Sequence, residues 1–208
     1  MPSKLDELYK LQKTDFKKAG KVLADAFEED PIWSRIFSDN KIKAQKINYN
    51  FEIPIRYAFK YGEVFASSSN LEGIAAWLPD STADMTIWRI IRSGAMKLAL
   101  KLGFKIGKKM AKIFKPIEKD RKEHMKNTSY IYILIIGVKQ EYQNQGFGGK
   151  ILHALFEESD KTHTPLYLET ETTDNVRMYE KYGFKTLEKI VLPELDLPMW
   201  EMKRDPMR

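Results

Sequence analysis

The spacing of apolar positions along this chain changes period several times, and each change marks an element. Leu8 to Lys13 alternates, as a short strand does. Ala19, Val22, Leu23, Ala26 and Phe27 then recur at helical spacing behind Thr14-Asp15, which offers an N-cap. Asp30-Pro31 stops that helix and starts another through Trp33, Ile36 and Phe37. Lys41 to Phe59 is predicted as a helix interrupted at Pro54. Glu63 to Ser67 and Ile74 to Leu78 are short strand-like runs joined by a polar turn, which predicts a hairpin. Tyr130 to Val138 is apolar on both faces, the pattern of a central buried strand. Beyond it come a predicted helix (Gly148 to Lys161), a strand (Pro165 to Thr170) and a helix (Thr173 to Tyr182) ended by Gly183. Two final strands follow, one from Phe184 and one over Pro198 to Lys203. Strand, helix, strand, helix, strand, strand gives an α+β fold with one right-handed parallel crossover at its centre.

Between Met85 and Pro116 the period is helical again. Ile91, Ala95, Leu98, Leu102, Ile106, Met110 and Ile113 form one apolar stripe. Gly94, Gly103 and Gly107 each weaken a helix interior by ~1 kcal/mol, so two shorter helices are predicted in place of one. Lys115-Pro116 is predicted to close them, leaving Glu118 to Asn127 as a charged connector. The net charge of the chain is +6, yet this segment holds nine basic residues and no acid, so the remainder is net acidic. Basicity confined to one amphipathic segment, without interleaved base readers, argues against a nucleic-acid partner. The favoured reading is a helical pair covering the sheet with its lysines solvated. Attraction of an acidic ligand is a second reading. Contact with an anionic membrane through Trp88 and Phe104 is a third and is not favoured.

At 208 residues the chain has the length of one domain. It contains no cysteine, which excludes a disulfide framework, thiolate metal ligands and a thiol nucleophile. Of its three histidines, His153 and His163 fall on one predicted helix and its exit loop, so no metal site is expected. His124 reads as a surface residue of the charged connector. The longest uncharged apolar run, Ser129 to Val138, is half the ~20 residues of a membrane span. The first ten residues are charged where a signal peptide is apolar, and a cytoplasmic protein is expected.

Candidate chemistry begins with Gln143-Asn144-Gln145-Gly146-Phe147-Gly148-Gly149, which leaves the central strand and opens a helix. Its glycines allow a tight turn that brings successive N–H groups to one point, and a helix start adds unpaired N–H groups and a positive dipole end. Together these make a phosphate cradle. A Walker A loop does not fit, because Asn144 stands at its first glycine and Ile151 at its Ser/Thr. A dinucleotide fingerprint fails at Ile151 as well. On the loop alone, a phosphate cradle and a mere chain turn are equally open. Downstream, Asn175 and Tyr179 lie four apart on a predicted helix and project from one face.

Gln143-x-x-Gly146-x-Gly148, followed by Asn175-x-x-x-Tyr179-x-x-x-Gly183-Phe184, resembles the GNAT superfamily of N-acetyltransferases. With Ile136-Gly137-Val138 and Tyr167-Leu168-Glu169-Thr170, it is similar to the branch that includes puromycin N-acetyltransferase. The resemblance spans Tyr130 to Phe184, with a looser echo over Phe27 to Trp33. It implies a GNAT-like central mixed sheet of six to seven strands flanked by helices. One acetyltransferase domain would fill residues 1–208, with a basic helical insertion at 81–128 and an acetyl-CoA-binding core at 130–184. Acetyl-CoA would be the co-substrate, held at Ile136, Val138, Gln143, Asn144, Gln145, Gly146, Phe147, Gly148 and Gly149, with Asn175 on the pantetheine arm and Tyr179 beside the thioester sulfur. Gln143 departs from the family's more frequent arginine, which the main-chain cradle tolerates.

The expected reaction is direct acetyl transfer to a primary amine of a small-molecule acceptor. Protein lysine or N-terminal acetylation and a non-catalytic CoA-binding role are the alternatives, and a homodimer is left open. Glu169, at the C-terminal end of its strand, is the candidate base, directly or through a water. Gly137 inside the buried strand predicts a bulge or a close approach of backbone, turning the Val138 N–H toward the bound arm.

Overall fold

The computed structural model describes residues 3–207. In chain order the elements are β1 (Tyr9–Lys10), α1 (Phe16–Ala26), α2 (Pro31–Ile36), α3 (Asn40–Tyr61), β2 (Glu63–Ala66), β3 (Gly73–Pro79), α4 (Ile87–Arg92), α5 (Met96–Leu102), α6 (Phe104–His124), β4 (Ile131–Val138), α7 (Phe147–Thr162), β5 (Leu166–Thr170), α8 (Thr173–Lys181), β6 (Lys185–Leu192) and β7 (Leu197–Arg204). The strands form one sheet in the order β1-β2-β3-β4-β5-β7-β6. All neighbours are antiparallel except β4 and β5, which are joined by the α7 crossover. This is the mixed, helix-flanked sheet expected from the sequence.

Each face of the sheet has its own core. On one side α1, α3 and α6 bury Leu23, Phe51, Ile55, Ile113 and Ile117 against Ile74, Leu78 and Tyr167. On the other, α7 and α8 bury Ile151, Leu155, Val176 and Tyr179 against Ile133, Leu166, Leu168 and Met202.

Several local expectations are corrected. Helix α3 runs unbroken through Pro54, and α6 runs through Pro116 to His124, so the expected connector is helical up to His124 and only residues 125–130 link the basic segment to β4. A proline inside a helix costs ~3 kcal/mol. In α6 the stripe Ile113, Ile117, Arg121 stays buried on both sides of Pro116, and burying two isoleucines returns roughly 3–6 kcal/mol. The basic segment is three helices rather than two, broken where Gly94 and Gly103 take φ of +77° and +97°. Gly107 is absorbed within α6. The α5 helix packs on α3, not on the sheet. Asp15 does not cap α1 with its side chain: its carboxylate instead accepts from the Tyr9 hydroxyl (2.9 Å) and the Gln12 N–H (2.8 Å). Asp30 does cap α2, accepting from the N–H groups of Ile32 and Trp33.

Two features of β4 shape the centre of the sheet. Ala76 pairs with Ile135 but Trp77 pairs with Ile133, so Leu134 is an extra residue and the bulge lies there rather than at Gly137. Gly137 marks the close approach instead. A Cβ on it would stand 2.9 Å from Phe27 and 3.0 Å from both Ala26 and Leu23, so only glycine lets α1 lie this close to the strand.

Candidate active site

Strands β4 and β5 pair only at Ile131 with Leu166 and Tyr132 with Tyr167. From there they part. Ile133 to Val138 keeps β3 as its partner, and Leu168 to Thr170 keeps β7. The strand expected to be buried on both faces is in fact half-exposed at Leu134, Ile135, Ile136 and Val138, because β5 has left its side. The parallel strands therefore open a wedge toward the end that carries the glycine-rich loop.

That loop is built as a cradle. Gly146 takes φ +87° and precedes α7, and Asn144, a residue type that tolerates this region, takes φ +61°. No side chain caps α7, and its first main-chain bond runs from Lys150 N–H to Gly146 C=O. The amides of Phe147, Gly148 and Gly149 are thus the unpaired donors of the helix start. The side chains of Gln143 and Gln145 fold back onto the carbonyls of Val138 and Glu141, away from those amides. A Cβ at Gly146 would meet nothing within 4 Å, whereas one at Gly148 would press on Val138 at 3.3 Å. The residues suit a diphosphate held by main chain and helix dipole. Beside Gly149 lies a hollow of about 470 Å³ lined by Asp174, Arg177, Met178, Lys181 and Tyr182.

Asn175 and Tyr179 stand on α8, which packs on the other face of the sheet from α6. Thr172 caps that helix, and the Asn175 amide donates to Thr170 Oγ1 at 3.1 Å, which ties the start of α8 to the end of β5. Tyr179 is buried with its ring edge-on to Phe184 (5.3 Å). Burial, with the Glu171 carboxylate as a second cause, holds its hydroxyl well above the usual phenol range, so it stays an O–H donor at neutral pH. Glu171 itself is pushed up to about 8 by burial and then by the Asp30 carboxylate beside it.

Glu169 lies two residues beyond the last β4–β5 pair, in the wedge and on the face covered by α6. Its side chain is 9% exposed, and its Oε1 stands 3.7 Å from Arg121 Nη1. Burial raises its carboxyl to about 7, against the lowering effect of the Arg121 guanidinium. Arg121 in turn pairs with Asp84 at 2.9 Å and stacks over the Tyr132 ring at 4.3 Å.

The sequence did not single out Arg121, nor the buried Glu201 of β7. It placed His124 on the surface of a connector; the structure leaves it partly exposed but puts it at the end of α6, with Nε2 3.1 Å from Glu201 and 3.0 Å from Glu188. The available signals were Arg121 and His124 three apart on a helix face, and an acid inside the apolar strand Met199 to Met202. His153 is exposed on α7 and His163 follows its end, as expected. Among the described residues, no group of three or more His, Asp or Glu side chains is placed to hold a metal ion, and no helix is long and apolar enough to cross a membrane.

The chain resembles known proteins in sequence and in fold. Residues 114–186 match the family described as the acetyltransferase (GNAT) domain. The chain therefore carries a GNAT acetyltransferase domain over those residues. The GNAT chain is 27% identical over 203 residues to an uncharacterised N-acetyltransferase of Schizosaccharomyces pombe, covering 95% of this chain and 82% of that one. Its fold is shared with a Corynebacterium glutamicum protein described as histone acetyltransferase HPA2 and related acetyltransferase. There the TM-score is 0.65 at 19% identity, over 97% and 96% of the two chains. It is shared also with the C-terminal condensation domain of Ebony, solved with beta-alanyl-dopamine, at TM-score 0.61 and 9% identity over 96% and 98%. The GNAT enzyme is an acyl-CoA-dependent N-acetyltransferase, and its domain implies acetyl-CoA as co-substrate.

Proposed function

We propose that this enzyme transfers an acetyl group from acetyl-CoA directly to the primary amine of a small-molecule acceptor. The observation that carries the reading is the opening between β4 and β5, with unpaired helix amides at one end and a buried carboxyl of pKa about 7 at its base.

The diphosphate rests on the amides of Phe147, Gly148 and Gly149, on the loop Gln143 to Gly146. Arg177 and Lys181, in the hollow beside Gly149, are placed for the phosphorylated nucleoside end. The pantetheine arm runs along Ile136 and Val138 past Asn175, and the Val138 N–H supports the thioester oxygen. Glu169 takes the proton of the incoming amine, directly or through one water. The amine nitrogen bonds to the acetyl carbon and the carbon–sulfur bond breaks; the thiolate leaves with the Tyr179 hydroxyl donating a hydrogen bond to it and takes up the second proton that the nitrogen sheds on becoming an amide. Holding amine and thioester in one wedge supplies much of the acceleration. No cysteine is present to carry an acyl group, in keeping with a single step.

The burial of Glu169 beneath α6 favours a slender amine that can enter the wedge, and the puromycin N-acetyltransferase-like pattern of the loop and of Asn175 to Phe184 points the same way. A thiol-release assay with acetyl-CoA tests this against polyamines, aminoglycosides, nucleoside antibiotics and peptides. Turnover with small amines and none with peptides is the expected result. Turnover with peptides alone would replace the acceptor, and no heat on titrating coenzyme A would remove the whole reading.

A further inference from the structure

We propose that Glu201, His124 and Glu188 carry the proton gathered at Glu169 out to solvent. The inference rests on Glu169 being the base.

Strands β5, β7 and β6 lie side by side. Glu169 is the direct partner of Glu201, and Glu201 is the direct partner of Glu188. Paired residues share a face, so three carboxylates stand abreast across the sheet. Directly opposed like charges are unfavourable, more so when buried, and Glu201 is fully buried. Exposure is gained only at the outer end, where the Glu188 side chain is 49% exposed.

One helix face covers this row. Arg121 stands over Glu169, and three residues on, His124 puts Nε2 3.1 Å from Glu201 Oε2 and 3.0 Å from Glu188 Oε2. The Tyr167 hydroxyl donates to Glu201 Oε2 at 2.8 Å. Oε2 is thereby fully engaged, while Glu201 Oε1 is buried with no hydrogen-bond partner in the protein. Glu169 Oε1, on the directly opposite residue, is in the same condition. A proton held between two such oxygens satisfies both. The other charged or titratable groups facing the row are Asp84, Asp120, Tyr130 and Tyr132; Asp120 is itself partly exposed and acts on Glu201 through its charge, but it is His124 that stands 3.1 Å from the Glu201 carboxylate.

The transfers balance. The acceptor ammonium gives one proton to the Glu169 carboxylate, and the second proton that its nitrogen sheds as the amide forms stays on the coenzyme A thiol. Glu169 passes it to Glu201 and is a carboxylate again. With its own proton on Nδ1, His124 accepts at Nε2 from Glu201. The imidazolium then releases that same proton to the Glu188 carboxylate, which yields it to water. One proton leaves for each acetyl group transferred.

His124→Ala and Glu188→Gln test the path, with thiol release followed in weak buffer. Each is expected to lower kcat about tenfold with KM for acetyl-CoA unchanged. Added imidazole should restore His124→Ala toward the wild-type rate and leave the wild type unmoved. A merely structural His124 would give a loss that imidazole does not repair. Melting curves show whether His124→Ala folds, and Glu188→Gln, half in solvent, keeps the question open to measurement if it does not. The relay is overturned if both variants stay within about twofold of wild type while Glu169→Gln is inactive, or if imidazole has no effect. Full activity in Glu169→Gln would instead remove the base, and the relay with it.

Discussion

Arg121 and Glu169 face each other at 3.7 Å with side chains only 5% and 9% exposed, too far apart for a tight ion pair and too deep for water to screen them. Burial therefore outweighs the guanidinium, and the carboxyl rises to about 7 rather than falling. A group that would be a weak base at its ordinary value is thereby matched to neutral pH.

Activity should report that balance. For an acceptor that stays protonated across the range, kcat/KM is expected to gain an acid limb centred on about 7 from Glu169, absent in Glu169→Gln. The Glu201 charge raises Glu169, so Glu201→Gln should move the limb to lower pH. The Arg121 charge lowers it, so Arg121→Gln should move the limb to higher pH. Shifts of the same sign in both variants would contradict the pairing. Stability carries its own sign. The folded state holds this proton more tightly than the unfolded one, so the contribution is full below the ordinary value of 4.5 and declines as pH rises to about 7. Denaturant titration at about pH 5 and about pH 8 should show a decline that is smaller in Glu169→Gln.

The cradle can be tested without touching the fold. Gly146 has φ +87° and open space around a would-be Cβ, and both Asn and Asp tolerate that conformation better than other side chains. Gly146→Asn and Gly146→Asp should melt together. Only the aspartate puts a negative charge beside the diphosphate, which at roughly 1–2 kcal/mol predicts about tenfold weaker coenzyme A binding by calorimetry than the asparagine variant. Equal affinities would place the phosphates elsewhere.

How much of this was legible beforehand follows from the range of each interaction. The cradle was, because Gly146 and Gly148 act through local backbone. The helices through Pro54 and Pro116 were not, because buried side chains on the sheet side overrule a local rule. The contacts of His124 were not legible either: its partner Glu188 lies 64 positions later in the chain. Of the two readings of Gly137, the close approach holds, to α1, while the bulge lies at Leu134.

Gly137 gives a stability test. A methyl group there would press on Phe27, Ala26 and Leu23 at 3.0 Å or less, all from α1 and the residue after it. Gly137→Ala should destabilise by about 1–3 kcal/mol, as overpacking does. Pairing it with Ala26→Gly should recover part of that loss in a double-mutant cycle, because the two sites share one contact. Additive losses would mean that the helix does not rest on the strand there.

Tyr179 offers the narrowest probe of the chemistry. Its ring packs on Phe184 and its hydroxyl is held as O–H chiefly by burial. Tyr179→Phe keeps the ring and removes only the donor. Coenzyme A affinity and melting temperature should hold, while kcat falls about tenfold to a hundredfold, the range expected for one donor aimed at developing charge. Because the hydroxyl proton is too tightly held to be given up, the loss should be the same at every pH where Glu169 is ionised. A loss that grew or vanished with pH would mean that Tyr179 transfers its proton after all, and unchanged turnover would remove it from the reaction.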